Sequence, residues 1–310
     1  MPPSPSSKAI ALLNVAAGEA MRESKGLRET VLAAFTQAGI AAEVECLSGG
    51  ELMDAAKAAL ESALAKDAIV VAAGGDGTIR TVASLLSGTR VRMGIIPLGT
   101  FNHFAKDLGI PLDIESAVGV IASDHHIEVD VGEVNGRVFV NNSSIGVYPY
   151  MVVDRERRRR RTGVRRGLAM ALAGLRMLRI FPLRRLTIRV QGSGEGWRTP
   201  CLFVGNNKYS FSFTAVKKRE KLDEGALWLY IVKPQTRLGL LWLTLRSLIG
   251  LGHPERDVRV FDTTEAEILS GRKRLKVSTD GEVTAMRPPL HYRIRPRALR
   301  VYAPQSHPEP

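Results

Sequence analysis

The sequence predicts two folds in series: an α/β domain with a parallel sheet and helices on both faces, then an antiparallel, β-sandwich-like domain. Three observations carry this. Over residues 8–133, apolar β-branched runs alternate with segments of helical period. A glycine turn, Gly74-Gly75-Asp76-Gly77-Thr78, joins one such run to one such segment. From Val134 onward the chain breaks into short strand-like runs separated by turn residues. Strand, helix, strand, helix at this spacing implies crossovers and a parallel sheet. Many short strands imply an antiparallel one.

The elements follow in order. Residues 9–13 read as a first buried strand that ends at Asn14. Residues 26–39 are helical, with Gly39 as the terminator. Residues 41–47 form a second strand, and Gly49-Gly50-Glu51 opens a helix to residue 64. A third strand, 68–73, leads into the glycine turn, and Ile79 to Leu86 continue at helical spacing. Ligands of such sheets bind beyond the carboxyl ends of the strands. The loops at Asn14, Gly74 and Gly99 fall on that edge, as a nucleotide triphosphate site requires. In the second domain the strands read as 137–141, 185–190, 201–205, 227–232 and 258–261, with two late ones at 290–295 and 299–302. The boundary falls between Gly132 and Gly136. The domains are then 8–133 and 134–303, with tails at 1–7 and 304–310.

The glycine turn carries the chemistry. Glycines let a backbone approach a ligand that a Cβ would exclude. The helix start behind them offers N–H groups and partial positive charge to a phosphate. Asp76 is out of place beside phosphate, unless a divalent cation intervenes or the carboxylate orients a lysine or a hydroxyl. The plainer reading is an ordinary strand-to-helix turn. The turn is not a Walker A loop, because no Lys-Ser or Lys-Thr follows at the required spacing, and Gly-x-Gly-x-x-Gly is absent here.

Composition limits the rest. The 310 residues, 45% hydrophobic and 24% charged, suit a globular protein of one large or two modest domains. Cys46 and Cys201 give neither a disulfide framework nor metal-ligand spacing, which fits a reducing compartment. The net charge of +13 calls for an anionic partner: nucleic acid, membrane or cosubstrate. No run reaches the roughly 18–20 apolar residues of a membrane span.

Gly74 to Thr78, followed by Gly94-Ile95-Ile96-Pro97-Leu98-Gly99-Thr100-Phe101-Asn102 and, late in the chain, Asp280-Gly281-Glu282, resembles the diacylglycerol kinase catalytic domain family. That family includes sphingosine kinases and bacterial lipid kinases and is related to NAD kinases. The resemblance spans residues 8–302 and implies an ATP-dependent lipid kinase with Mg2+ as its metal. It implies nucleotide contacts at Asn14, Gly18, Cys46, Gly74, Gly75, Asp76, Gly77, Thr78, Gly99, Thr100 and Asn102. Val15 stands where relatives carry proline. Arg80-Thr81 stands where they carry Asn-Glu; Arg80 is a phosphate candidate or a solvated arginine of the first helical turn. The resemblance also implies a magnesium network of three carboxylates. Asp76 and Asp130 are kept, and His103 stands in the middle position. A second metal stretch in relatives corresponds to Leu222-Asp223-Glu224-Gly225-Ala226, which makes Glu224, Lys221 and Ala226 candidate ligands. For the base that receives the acceptor proton the resemblance points to Asp280, with Glu282 the other candidate. On residues alone, Ser-Thr-Asp-Gly-Glu is also ordinary turn composition.

Two segments bear on partners. The stretch from Arg155 to Arg166 is rich in arginine, and residues 167–181 carry apolar positions at helical spacing. A basic cluster beside an amphipathic helix suits an anionic membrane surface; a solvated arm with a core helix is the plainer alternative. No aromatic residues interleave the arginines, which argues against nucleic acid. Residues 238–251 are strongly apolar and read as core packing or as the lining of a lipid-tail pocket. Lys208, Lys217, Lys218 and Arg219 are candidates to face phosphate or head groups. The expectation is a cytoplasmic, peripherally membrane-associated kinase acting on a diacylglycerol-like acceptor. A soluble acceptor such as NAD, a non-catalytic relative and a homodimer are left open.

Overall fold

The computed structural model describes residues 8–14, 21–48, 50–146, 184–190, 193–212, 215–219, 221–233 and 257–305, with single positions at 236, 239 and 242. Gly18, the arginine-rich stretch, the helix proposed after it and nearly all of 238–251 lie outside them. The chain forms two compact units: Met1–Val131 with Arg295–Pro310, and Gly132–Ile294.

The first unit contains β1 (Lys8–Asn14), α1 (Met21–Gln37), β2 (Ala41–Leu47), α2 (Leu52–Lys66), β3 (Ile69–Gly74), α3 (Asp76–Leu86), β4 (Arg92–Pro97), α4 (His103–Asp107), α5 (Ile114–Ala122) and most of β5 (His126–Val134). The order β2-β1-β3-β4 is parallel throughout. Its inner strands are apolar enough for burial on both faces, with all six residues of β3 buried; the edge strand β2 buries only Val44 and Leu47. Helices α1 and α5 pack on one face, α2 and α3 on the other. One core joins Val31 and Phe35 of α1 and Val118 and Ile121 of α5 to Ala11, Val71 and Ile96 of the sheet. Helix α1 ends as expected: Gly39 sits at φ +72, and the Ile40 N–H returns to the Phe35 carbonyl at 3.0 Å. Because α1 crosses on one face and α2 on the other, strand order reverses between β1 and β3. That reversal opens a crevice at their carboxyl ends.

Several boundaries differ from expectation, among them the start of α1 at Met21 and the end at Phe139 of the strand that begins at Arg137, and two of them bear on the site. Helix α3 begins at Asp76, so the glycine turn is only Gly74-Gly75 and Asp76 belongs to the first helical turn. An acidic residue there is favoured by the helix dipole. The two late strands are one, β18 (Leu290–Tyr302), with Arg297 in the left-handed region at φ 48. Its last residues pair in parallel with β4 in the first unit, through Arg300↔Arg92 and Val301↔Met93.

Among its described residues the strands of the second unit pair antiparallel. The hairpin from β5 to β6 (Arg137–Phe139) turns through Asn135 and Gly136, both at positive φ. Then come β7 (Asn142–Gly146), β8 (Arg184–Val190), β9 (Ser193–Thr199), β10 (Cys201–Asn206), β11 (Tyr209–Ser212), β12 (Ala215–Arg219), β13 (Leu227–Val232), β14 (Val258–Thr263), β15 (Glu265–Leu269), β16 (Leu275–Thr279), β17 (Glu282–Met286) and the start of β18. One sheet runs β14-β13-β10-β7-β16-β17, and another runs β18-β15-β8-β9. Ile145, Leu202, Val204 and Val277 of the first meet Leu186, Ile188, Ile268 and Tyr292 of the second in one core. That is a sandwich, as the alternation predicted.

Candidate active site

In the first unit, three strand ends build the site. Asn14 closes β1, and its Nδ2 donates to Thr78 Oγ1 at 2.8 Å, tying the first loop to the start of α3. Gly75 is the N-cap of α3 with no side-chain cap, which leaves the first N–H groups of the helix to a ligand. The loop after β4 lies against this turn. The Leu98 N–H donates to the Gly74 carbonyl at 3.0 Å. A Cβ on Gly99 would come within 2.5 Å of the Gly75 Cα, and one on Gly74 within 2.5 Å of Thr78 Oγ1. Gly99 is therefore required by the approach of two backbones, and Gly74 by the Thr78 side chain, before any ligand is considered.

Asn102 fixes the second loop. Held at φ 51, it donates from Nδ2 to the Gly99 carbonyl at 2.8 Å and accepts the Gly99 N–H at 3.0 Å. Asp76 joins the loops, since its Oδ1 accepts the His103 N–H at 2.8 Å. The carboxylate thus orients a backbone N–H rather than a lysine or a hydroxyl. The exposed His103 ring stacks on Phe101 with centroids 5.6 Å apart. Thr78 is buried, Gly77 and Thr100 are exposed, and Arg80 is half-buried on the first turn of α3. Cys46 is exposed on β2, beside Leu13.

The carboxylate network expected for magnesium is engaged in other bonds. Asp130 is buried, and its Oδ1 accepts the Arg297 N–H at 2.8 Å. Among the described residues no three His, Cys, Asp or Glu side chains gather so as to hold a metal. The residues present do not fit a resident three-carboxylate site, and no chemical step is derived through one. At the second stretch, Glu224 Oε2 accepts the Lys208 N–H at 3.2 Å, and the Ala226 carbonyl accepts the Asn207 N–H at 3.0 Å. Lys221 is exposed. These contacts tie the stretch 224–226 to residues 207 and 208.

The acidic turn lies in the second unit, between β16 and β17. Asp280 sits at φ 47, and Gly281 follows at φ 85. Its Oδ2 accepts the Val140 N–H at 2.8 Å; Oδ1 accepts those of Asn141 at 2.8 Å and Asn142 at 3.0 Å. Its own N–H donates to the Asn142 carbonyl at 2.8 Å. Glu282 Oε1 pairs with Arg137 Nη2 at 2.8 Å, and Arg137 Nε donates to Thr279 Oγ1 at 2.9 Å. Sequence reasoning found both acids but missed Asn141, Asn142 and Arg137 around them. The run Asn141-Asn142-Ser143-Ser144, polar between the apolar Val138-Phe139-Val140 and Ile145, was the available signal. Of the neighbouring cations, Lys208 lies over the Trp228 ring at 5.2 Å. Arg219 does not face outward: it is buried, with its donors on carbonyl groups.

Comparison with known proteins agrees with both units. Residues 8–134 match the diacylglycerol kinase catalytic domain, and residues 150–303 match the YegS C-terminal NAD kinase beta sandwich-like domain. A Pseudomonas aeruginosa protein named "Probable lipid kinase YegS-like" is 30% identical over 260 residues, 82% of this chain and 83% of its own. A diacylglycerol kinase of Staphylococcus aureus is 28% identical over 242 residues, 77% and 75% of the two chains. The crystal structure of a diacylglycerol kinase from Bacillus anthracis shares the fold, with a TM-score of 0.65 over 97% of each chain at 22% identity. Two glycine loops drawn together by Asp76 and by the Leu98–Gly74 backbone bond in one unit, an acidic turn in the other, and a match across both domains lead to one conclusion: the chain belongs to the family of diacylglycerol kinases and YegS-like lipid kinases.

Proposed function

We infer that the protein transfers the γ-phosphoryl group of ATP to the hydroxyl of a membrane lipid, with a diacylglycerol-like acceptor as the default. The observation that carries this reading is the contact of Gly75 with Gly99 behind the uncapped start of α3. Backbone N–H groups, with no side chain in the way, meet the phosphates there. Asn14 and Thr78 hold the third loop to the same point. Phosphoryl transfer needs positioning and charge neutralisation more than covalent chemistry. The divalent cation, Mg2+, enters with the nucleotide as part of the substrate and neutralises its phosphates. Asp280 receives the acceptor proton as the new O–P bond forms and the bond from the γ-phosphorus to the bridging oxygen breaks, releasing ADP. Three N–H donors fix its carboxylate for that role. Glu282, paired with Arg137, is the second acid of the turn.

Residues 8–133 are read as the nucleotide-binding domain and 134–303 as the acceptor domain. Membrane association is assigned to the arginine-rich stretch from Arg155 to Arg166, at about 1 kcal/mol per basic residue near anionic lipid. The test is transfer of label from γ-labelled ATP to a total lipid extract, with NAD in a parallel reaction. Label in one lipid species supports the reading and identifies its acceptor. Label in NAD alone contradicts it.

A further inference from the structure

Arg219 is a buried cation that the chemistry above leaves unused. It closes β12 with 3% of its surface exposed. A guanidinium taken out of water is costly unless its N–H groups are met. Here Nη1 donates to the Val140 carbonyl at 2.7 Å and to the Asn206 carbonyl at 3.2 Å. Nη2 donates to Asn141 Oδ1 at 3.0 Å. The group also lies over the Tyr209 ring, 5.7 Å from its centroid. Asn206 Nδ2 reaches the same Val140 carbonyl at 2.8 Å, so two donors converge on one peptide oxygen.

The nitrogen side of that peptide meets Asp280. The Asn141 N–H donates to Asp280 Oδ1, flanked by the N–H groups of Val140 and Asn142. The Val140–Asn141 peptide thus accepts from a cation at its oxygen and donates to a carboxylate at its nitrogen. Hydrogen bonds in series through a peptide polarise one another and strengthen. A charged donor at one end and a charged acceptor at the other make each bond of the stronger, charge-assisted kind.

We propose that Arg219 is a positioning residue for Asp280, acting through the Val140–Asn141 peptide. The planar fork of the guanidinium places the Val140 carbonyl and the Asn141 side chain together. That fixes the turn 140–142, and the turn in turn holds the Asp280 carboxylate in one orientation. Lysine keeps the charge but cannot span both acceptors. The proposal rests on the reading of Asp280 as the group that takes the acceptor proton.

The experiment uses the full chain with Arg219→Lys, Arg219→Met, Asp280→Asn and the double variant Arg219→Lys with Asp280→Asn. It measures kcat and KM for lipid phosphorylation, and amide hydrogen exchange at Asn141 and Asn142. Arg219→Lys is expected to lower kcat about tenfold, the effect of one charge-assisted hydrogen bond, with KM for ATP held within about twofold. Arg219→Met is expected to lose more, so that lysine rescues in part. In the Asp280→Asn background, Arg219→Lys is expected to cost nothing further. Exchange at Asn141 quickens in both arginine variants. A folded Arg219→Lys protein with wild-type kcat, or an equal loss with and without Asp280, overturns the proposal. If both arginine variants fail to fold, Asn141→Ala, which removes the Oδ1 acceptor of Arg219 Nη2, is read by the same criteria. Wild-type protein that phosphorylates no lipid overturns the proposed function instead. Quicker exchange at Asn141 in Arg219→Lys then still supports the link from Arg219 to Asp280, and unchanged exchange overturns it.

Discussion

Gly99 and Gly75 show how little room the site leaves. A methyl group on Gly99 meets backbone, at 2.5 Å from the Gly75 Cα, and backbone cannot swing aside as a side chain can. Gly99→Ala is therefore expected to push the two loops apart, at a cost of about 1–3 kcal/mol in overpacking. Binding of an ATP analogue, followed by calorimetry, should weaken about tenfold or more, while the sandwich unit melts as before. Unchanged affinity would mean that the close approach is not what holds nucleotide. Tyr292 offers a test in the other unit. Its buried hydroxyl meets Ser143 Oγ at 3.0 Å, and burial pushes its acidity well below that of a free phenol. Tyr292→Phe leaves the Ser143 hydroxyl without this partner and is expected to cost about 1 kcal/mol in urea unfolding. A cost near zero would show that Ser143 re-pairs.

At the scale of elements, α5 and β18 give opposite lessons about local sequence. Helix α5 is capped by Asp113, whose Oδ1 accepts the Ser116 N–H at 2.8 Å. Hydrogen bonds from Ser116, side chain and then backbone, hold the Asp113 carboxyl below its usual value. Because the folded value lies below the unfolded one, near about 3.9, the cap's contribution is complete above the unfolded value. It is lost as pH falls through the folded one. Asp113→Ala should thus lower the melting temperature at neutral pH, and the gap to wild type should close in acid. A gap that stays constant down to the acid limit would contradict the cap. In β18, Arg297 is exposed and left-handed, a conformation glycine adopts without strain. Arg297→Gly keeps the N–H that Asp130 accepts and is expected to stabilise by up to about 1 kcal/mol; a loss of stability would show that the arginine side chain matters more than its backbone.

These two elements also mark how far the sequence could be read. The inner parallel strands were legible because burial on both faces leaves unbroken apolar runs such as β3, and the more exposed edge strand β2 still falls on its expected residues. Gly39 was legible as a helix stop for its φ of +72. Strand β9, Ser-Gly-Glu-Gly-Trp-Arg-Thr, was not, because its place is set by pairing with β8 and not by any pattern of its own. The joining of two expected strands into β18 depends on a left-handed arginine, for which sequence gives no sign. In the site, the glycines and both acids were legible. The duty of Asp76 in bracing the loops depends on a contact between residues distant in sequence, as do those of Arg137 and Arg219 around the acidic turn, while that of Asn102 is a local bond to Gly99 made in a left-handed conformation.

For the whole molecule, two compact units divide the labour implied by the family: a glycine-loop site at a strand-order reversal in one, an acidic turn on a sandwich in the other. Among the described residues no helix is long and apolar enough to cross a membrane. The proposed function has the lipid acceptor met at a membrane surface, and the net charge of +13 suits an anionic one. Replacing the arginines between Arg155 and Arg166 with glutamine is expected to reduce pelleting with anionic vesicles and to leave neutral vesicles unaffected. Pelleting indifferent to lipid charge would remove the electrostatic part of the account. The central claim is that Asp280 takes the proton of a lipid hydroxyl while the glycine loops hold ATP. The most direct measurement is single-turnover transfer from γ-labelled ATP into lipid, for wild type and Asp280→Asn with ATP binding verified in both. The account predicts labelled lipid with wild type, and a rate at least about a hundredfold lower with the variant, at equal ATP affinity. Equal rates from the two proteins would contradict it and leave Glu282 as the acid to examine.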